Sequence, residues 1–407
     1  MNGFHLALRN LARQRRRSAL MGTVVAFGFA AFALAGGFIA QTFEALKEGS
    51  IQRVGHLQVV DRRAAGKSEE STLEFGLKDG DKARSIAARD PAVAAVLPRI
   101  DFVGLASNGV KSSPFLGVGV DPDPEARATA AGELVTAGRY LSGDGGDDIV
   151  LGTGLAAGLS VGLGDRLTLM ASTPDGSLNA VDAVVVGLVD VHIKELNDRY
   201  LAGGVSLVSR LLQSSGVVSR LVIFLKSEAD EDAAAARLSA ALNEAGFPAE
   251  ILRWRTLATF YGQVRMLYIG IFGFVGTVLV VIVILSAAIV MTMAVTERTR
   301  EIGTLRALGT RPSGIRNLFL AEGVLLALAG CLVGAAFALA VRAVLNASGI
   351  VLPPAPGATR GFAIVVKFYP LAYAVGFASM LVTMTVASFF PARRAARMPI
   401  VDALAHV

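Results

Sequence analysis

A charged segment, Thr296-Glu-Arg-Thr-Arg-Glu-Ile-Gly-Thr-Leu-Arg-Ala-Leu-Gly309, separates two long apolar runs. Residues 266–296 and 323–341 contain no charged side chain. Each run is long enough to cross the ~30 Å hydrocarbon core of a bilayer as a helix. The charged segment is therefore predicted to lie at one face of a membrane, where it can contact another protein.

The composition independently favours a membrane protein. The chain has 407 residues, of which 53% are hydrophobic and 18% charged, and its mean hydropathy is +0.56. The formal charge is +6, and the arginines lie beside the apolar runs rather than among aromatic side chains on which bases could stack. This distribution favours a role in membrane topology over nucleic-acid binding. The single cysteine, Cys331, excludes an intramolecular disulfide.

Positive charge before the first apolar run predicts a cytoplasmic amino terminus. An amphipathic helix is expected over residues 1–18, with an apolar face of Phe4, Leu8, Leu11 and Ala12. A cleavable signal peptide is the alternative, but the apolar run is longer than such peptides use.

The predicted fold class is a membrane α-helical protein with four transmembrane helices and a large α+β extracytoplasmic domain inserted between helices 1 and 2. Alternating apolar runs predict the domain's strands at residues 56–60, 93–103, 114–120, 166–170, 181–189 and 219–225, and alanine-rich residues 230–245 predict a helix that covers the sheet. The domain is expected to form two small lobes, one interrupting the other. The predicted boundaries are 1–18 for the cytoplasmic amphipathic helix, 19–40 for the first span, 41–264 for the domain, 265–295 for the second span, 296–315 for a cytoplasmic coupling helix and loop, 316–345 for the third span, 346–367 for an outer loop, 368–391 for the fourth span and 392–407 for a cytoplasmic tail.

Two motifs resemble the FtsX-like permease family, which includes MacB-type and LolC/LolE-type permeases of ABC transporters. The first is E-R-x-R-E-I-G-x-L-R-A-L-G over residues 297–309, and the second is Pro391-Ala-Arg-Arg-Ala-Ala-Arg-Met-Pro-Ile-Val-Asp-Ala-Leu404. The short segments 55–60 and 252–257 look more like the LolC/LolE branch than MacB. The chain is thus identified as similar to type VII ABC transporter permeases.

The resemblance implies that the central helix docks onto a separate ATPase, present in two copies, and that a second permease copy completes a homodimer. The implied coupling residues are Glu297, Arg298, Glu301, Ile302, Leu305, Arg306, Leu308 and Gly309. ATP and Mg²⁺ would bind the partner, so no catalytic, cofactor or metal residue is assigned to this chain and it is not expected to be an enzyme. No ATPase domain is expected ahead of the first span.

Helical spacing predicts which side chains of residues 297–309 share a face and which pair with one another. Ile302, Leu305 and Leu308 are predicted to form an apolar stripe that inserts into a partner, with Arg298 pairing to Glu301 and Glu297 to Arg300. The alternative is a helix resting on lipid headgroups, which more often has a one-sided basic face. At the membrane interface, Glu322 is expected to pair with Arg316 rather than to line an ion pathway. The cytoplasmic tail presents Pro391, Arg393, Arg394 and Pro399.

Other possible sites receive little support from the sequence. Residues 61–68, Asp-Arg-Arg-Ala-Ala-Gly-Lys-Ser, resemble a phosphate-binding loop but have aspartate where its first glycine belongs. The four histidines lack paired zinc-ligand spacing. A hydrolase built on Asp182, Asp190, His192 and Glu195 lacks a recognisable nucleophile. Glycines 270, 273 and 276, and glycines 330 and 334, are expected to pack against neighbouring helices.

The favoured function is energised extraction or handover of lipoproteins, lipids or other amphiphiles at the outer leaflet of a bacterial inner membrane. Both termini would be cytoplasmic and the large domain periplasmic, with membrane lipids and a periplasmic carrier or adaptor as further partners. One alternative is a peptide or drug exporter that works with an outer-membrane channel. Another is an FtsX-like signalling permease that controls a cell-wall hydrolase, which would need a smaller outer domain.

Overall fold

The computed structural model describes residues 3–64, 75–143, 146–354 and 357–405. It divides into two compact units. The helical unit consists of Met1–Ala45, Gln263–Val351 and Ala363–Val407, and the sheet unit consists of Leu46–Gly262 and Leu352–Phe362.

The helices are α1 Gly3–Arg13, α2 Arg15–Val54, α3 Gly80–Ala87, α4 Pro122–Ala128, α5 Thr153–Leu159, α6 Lys194–Asn197, α7 Val205–Leu212, α8 Glu231–Glu244, α9 Trp254–Leu257, α10 Thr259–Glu297, α11 Thr299–Ala307, α12 Pro312–Ser348, α13 Pro370–Arg397 and α14 Ile400–Ala405. The strands are β1 Leu57–Asp61, β2 Val93–Ser107, β3 Ser112–Val120, β4 Val135–Gly138, β5 Asp148–Gly152, β6 Arg166–Ser172, β7 Leu178–Val189, β8 Tyr200–Gly204, β9 Arg220–Leu225, β10 Ala249–Arg253, β11 Val351–Leu352 and β12 Phe362–Ala363. Short 3-10 turns cover Ala131–Leu134 and Glu228–Asp230.

Four of these helices, α2, α10, α12 and α13, are long and apolar enough to cross a membrane, with hydropathies of 2.0, 3.0, 2.6 and 1.6. The prediction of four apolar helices is confirmed. With 40 residues in α2 and 39 in α10, both helices reach ~60 Å at 1.5 Å per residue, about twice the thickness of a hydrocarbon core. Helix α2 therefore continues 14 residues past the predicted end of its span at residue 40, whereas α10 begins six residues before the predicted start of its span at residue 265.

The helical unit has a core of its own along the four long helices. Side chains from each of them are almost completely buried there, and they include Phe29, Val283, Cys331, Met380 and Met384. Leu11 of α1 packs against this core, whereas the side chains of Phe4 and Leu8 lie outside what the structure describes. The predicted apolar face of α1 is thus described only in part.

The glycines of α12 bring it close to α2. A Cβ atom built on Gly334 would lie 2.5 Å from the carbonyl oxygen of Ala26, and one on Gly330 would lie 2.8 Å from the side chain of Val25. In α10, by contrast, a Cβ on Gly270 or Gly273 would have no neighbour within 4 Å, and one on Gly276 would touch only the Phe32 ring, at 3.3 Å. The packing interpretation therefore holds within the chain for the α12 pair and not for Gly270 and Gly273.

Replacing Gly334 with alanine is expected to destabilise the protein by ~1–3 kcal/mol, because the new methyl group meets backbone atoms that cannot move aside as a side chain could. Gly273→Ala is the matched control in another long helix, where alanine should cost nothing or stabilise by up to ~1 kcal/mol. Unfolding of both variants in detergent micelles measures the difference. Equal stability of the two variants would contradict the packing role of Gly334.

The sheet unit contains a mainly antiparallel sheet with helices, which confirms the α+β class. Ten strands join in the order β10-β1-β9-β2-β3-β8-β5-β7-β4, with β6 pairing both β2 and β7. The 15-residue strand β2 pairs with β9 through its first half and with β3 through its second half. In the described residues the domain is therefore not divided into two separate sheets. Strand β2 joins β9 and the strands beyond it to β3 and the strands beyond that.

The sequence located most of these strands to within a few residues. It missed β4, β8 and β10, which are only four or five residues long. The remaining strand, β5, begins the strand, helix and strand unit that the resemblance to FtsX-like permeases implies for residues 149–169. The predicted helix at 230–245 corresponds to α8, whose Leu238 and Leu242 are buried in the core of the unit. The sequence Ser142-Gly-Asp-Gly-Gly146 predicts a turn, of which residues 144 and 145 lie outside the described residues.

Candidate coupling site

The predicted coupling segment forms a separate short helix between two long ones. Helix α10 ends at Glu297, the backbone departs from helical geometry at Arg298, and α11 begins at Thr299. At the other end Gly309 adopts a φ of +91°, a conformation that glycine takes without strain, and the amide of Thr310 donates to the carbonyl of Leu305 at 3.0 Å. Pro312 then starts α12. The two breaks set the direction of α11 independently of the long helices.

Ile302 points into the protein, unlike the outward position that the sequence analysis gave it. Its side chain is 4% exposed and packs in a small cluster with Val295, Ile315, Phe319 and Ala395. The physical reason is angular, because Ile302 and Leu308 are six residues apart and so lie about 120° apart around a helix of 3.6 residues per turn. The three apolar residues cannot all face one partner, and Ile302 anchors α11 instead.

The outer face of α11 carries the other two residues of the predicted stripe. Leu308 is 80% exposed and Leu305 is 36% exposed. Arg300 and Thr304 on the same short helix are also exposed. This face combines exposed leucine side chains with a positive charge on a helix whose opposite face is buried.

A buried polar cluster joins the segment to α12 and to α1. Glu322 is 4% exposed, and its Oε1 accepts hydrogen bonds from Asn10 Nδ2 at 2.7 Å and from Arg298 Nη1 at 3.0 Å. The Arg298 guanidinium also lies over the Phe319 ring and contacts Glu301 at 3.2 Å. The partner of Glu322 is therefore Arg298 rather than Arg316, whose buried Nε has no hydrogen-bond partner among the described residues.

Two arginines near the amino terminus hold the acidic side chains of the segment. Arg17 forms a bidentate contact with Glu297, at 2.8 Å for each hydrogen bond, and Arg13 contacts Glu301 at 2.8 Å. Glu297 thus pairs with Arg17 instead of with Arg300. Partial burial acts to raise the pKa of Glu301, but Arg298 and Arg13 outweigh it, so the pKa lies below its usual value and the carboxylate stays charged.

The carboxyl-terminal tail is tied to the same segment. Arg306 Nη1 donates to the carbonyls of Ala396 at 3.1 Å and Met398 at 2.9 Å, which satisfies acceptors left free where α13 ends. Pro391 lies buried inside α13, Arg393 and Arg394 are exposed, and Pro399 precedes α14. Arg306 therefore joins the two family motifs, which are far apart in the sequence.

Asn10, Arg13 and Arg17 were not identified as site residues from the sequence. The arginines were interpreted only as a signal of membrane orientation, and Arg13 and Arg17 pair with residues 288 and 280 positions away. No local pattern can specify such pairs. The excess of arginine before the first apolar run was the one available signal.

The other candidate residues are dispersed or serve structural roles. Asp182 and Asp190 lie eight residues apart along and just beyond β7, ~26 Å at 3.3 Å per residue, so they do not form one site. Burial lowers the pKa of His56, whose Nδ1 accepts a hydrogen bond from the amide of Leu225. Within the described residues no group of three metal-ligating side chains comes together. Residues 65–68 of the loop-like motif, the side chain of His5 and His406 lie outside the described residues.

Known proteins match this chain in two regions. Residues 18–241 match the MacB-like periplasmic core domain, and residues 273–400 match the FtsX-like permease C-terminal family. The lipoprotein-releasing system transmembrane protein LolC of Neisseria meningitidis serogroup B is 27% identical over 255 residues, which cover 60% of this chain and 59% of that protein. A Xylella fastidiosa LolC is 26% identical, with 63% of both chains covered. The chain thus spans about three fifths of the length of these relatives.

Two further similarities concern separate parts of the chain. The pyoverdine export ATP-binding/permease protein PvdT of Pseudomonas savastanoi pv. phaseolicola is 41% identical over 115 residues, 28% of this chain and 15% of that protein. The crystal structure of the periplasmic region of MacB from Actinobacillus actinomycetemcomitans has a TM-score of 0.38 and 14% identity, covering 53% of this chain and 97% of that one. Because the periplasmic-core match spans more than half of the chain and the carboxyl-terminal match covers three of its four apolar helices, the protein belongs to the FtsX/MacB-type family of bacterial inner-membrane permeases.

Proposed function

We propose that this chain is the permease subunit of a type VII ABC transporter, driven by a separate ATPase through mechanotransmission. The observation that carries the proposal is the construction of α11. Its Leu305 and Leu308 are exposed, while Arg298 at its start pairs with Glu322 of α12 and its Arg306 donates to carbonyls of the tail. Two exposed ion pairs add Arg13 of α1, which contacts Glu301 of α11, and Arg17 of α2, which contacts Glu297 at the end of α10. A force applied to the exposed face would reach several helices at once.

The proposed orientation places α11 and both termini in the cytoplasm. Arginine is abundant before α2, in and around α11, and at the end of α13, and positive residues favour the cytoplasmic side. The sheet unit, inserted between the first and second spans, would then be periplasmic. ATP and Mg²⁺ would bind two copies of the ATPase, whereas this chain would bind no cofactor and catalyse no reaction.

The proposed cargo is a lipoprotein, a lipid or another amphiphile extracted at the outer leaflet of the inner membrane. Support comes from the LolC-type relatives, which are described as components of lipoprotein-releasing systems. Four spans make a small pathway, so two copies of this chain would form the membrane part and a periplasmic carrier or adaptor would receive the cargo. Proteins and lipids that co-purify with an ATP-trapped complex would identify the cargo.

Cysteine labelling tests the orientation on which the proposal depends. A Leu308→Cys variant should react with a membrane-impermeant maleimide in inverted vesicles and not in intact spheroplasts. Val110→Cys is the control, because Val110 is 90% exposed at a hairpin tip of the sheet unit and should react only in spheroplasts. Labelling of Leu308→Cys from the outer side would refute the coupling role of α11.

A further inference from the structure

The loop between α12 and α13 is divided between the two units. Residues Leu352–Phe362 of this loop belong to the sheet unit, although both helices that flank them belong to the helical unit. The chain otherwise passes between the units within α2, between Ala45 and Leu46, and within the first turn of α10, between Gly262 and Gln263. The loop is therefore a third covalent connection between them, and its contacts within the sheet unit determine whether it can carry force.

Asp190, the residue after β7, is the centre of those contacts. It is 8% exposed, and its carboxylate accepts hydrogen bonds from the His192 amide at 3.0 Å, from the Thr359 hydroxyl and from Arg360 Nε at 3.0 Å. Burial acts to raise the pKa of Asp190, but these donors outweigh it and the pKa lies below its usual value. Two of the three donors come from the loop.

Backbone hydrogen bonds fix the loop beside the same residue. Ile193 and Ala358 form an antiparallel bridge, in which the Lys194 amide donates to the Gly357 carbonyl at 2.8 Å and the Thr359 amide donates to the His192 carbonyl at 3.1 Å. His192 has a φ of +64°, in the left-handed region that only a few residue types accept readily. If the loop departed, the buried carboxylate would lose two donors and the strained turn would lose its backbone partner, both at a cost in free energy.

We propose that Asp190 fastens the α12–α13 loop to the sheet unit, so that the chain joins this unit to the helical unit at a third place besides α2 and α10. In this scheme Asp190 is a positioning residue, and the loop stays bound to the end of β7 and the turn that follows it. The inference does not depend on an ATPase, on the direction of transport or on the cargo. It requires only that the loop contacts persist in the full chain.

Hydrogen exchange of the full chain in lipid nanodiscs tests whether the loop stays bound to the sheet unit. We expect the amides of Lys194 and Thr359 to exchange slowly in the natural protein and at least tenfold faster in Asp190→Ala. Asp182→Ala is the matched control within β7, where the carboxylate accepts a hydrogen bond from Thr168 and, among the described residues, none from the loop. Should Asp190→Ala fail to fold, the loop variant Thr359→Val with Arg360→Ala removes the two hydrogen bonds from the loop to Asp190 while leaving β7 and the hydrogen bond from the His192 amide unchanged.

A disulfide cross-link between the loop and the turn after β7 tests the same attachment independently. Ile193→Cys with Ala358→Cys, in a Cys331→Ala background, should form a disulfide under mild oxidation. Leu178→Cys with Ala358→Cys should not, because Leu178 begins β7, ~36 Å along the strand from its other end. Rapid exchange at Thr359 in the natural protein, or equal cross-linking of the two pairs, would overturn the proposal without affecting the proposed ATPase coupling.

Discussion

Replacing Leu308 with aspartate is expected to abolish association with the ATPase while leaving the permease folded. Leu308 is 80% exposed, so the substitution removes no core contact in this chain. In a docked complex the leucine would be buried against the partner, and an unpaired carboxylate there would be strongly unfavourable. Loss of a buried interface anchor typically costs ~2 kcal/mol or more, which corresponds to at least a ~30-fold weaker Kd. Co-purification and binding of the ATPase to nanodisc-embedded permease measure the effect.

Two companion variants separate docking from folding. Leu308→Met keeps an apolar side chain of similar size and should retain binding. Ile302→Asp, in contrast, places a charge in the cluster around Phe319 and should reduce the yield of folded permease before any partner is added. If Leu308→Asp binds the ATPase as the natural protein does, the exposed face of α11 is not the docking surface.

The large features of the fold follow from hydrophobic periodicity. Four apolar helices and six strands were predictable because burial on one or all faces leaves a repeating pattern in the sequence. The short strands β4, β8 and β10 were missed because four or five residues provide too few repeats to establish a period. The length of α2 was also underestimated, since its last 14 residues contain polar side chains and so lie outside the apolar run.

The coupling site was predictable as a segment but not as a set of contacts. Glu322 and Arg316 are close in sequence, yet residues six apart on a helix do not share a face, and Arg298 reaches Glu322 across the turn instead. Ile302 was placed outward because its neighbours in the stripe are apolar, although its 120° offset from Leu308 turns it toward the protein. Long-range partners such as Arg17 for Glu297 depend on how helices assemble, which single-sequence spacing does not encode.

Glu322→Leu is expected to destabilise the permease by ~3 kcal/mol. The side chains of Glu322 and Arg298 are only 6% and 12% exposed, and removing Glu322 leaves the buried Arg298 charge with the half-exposed Glu301 as its remaining acidic partner. Asn10 also loses its acceptor, which weakens the attachment of α1. The free energy of unfolding in detergent micelles, compared with the natural protein, measures the loss, and a cysteine cross-link between α1 and α12 should form less readily.

A double variant and a surface control make this prediction specific. Arg298→Met combined with Glu322→Leu should recover most of the lost stability, because replacing both members of a buried ion pair with apolar side chains is often neutral. Glu297→Gln affects a pair whose glutamate side chain is 55% exposed and should cost no more than ~1 kcal/mol. If Glu322→Leu proves as stable as Glu297→Gln, the Arg298 charge must be solvated in the membrane-embedded protein, and the buried cluster cannot be what holds α11 in place.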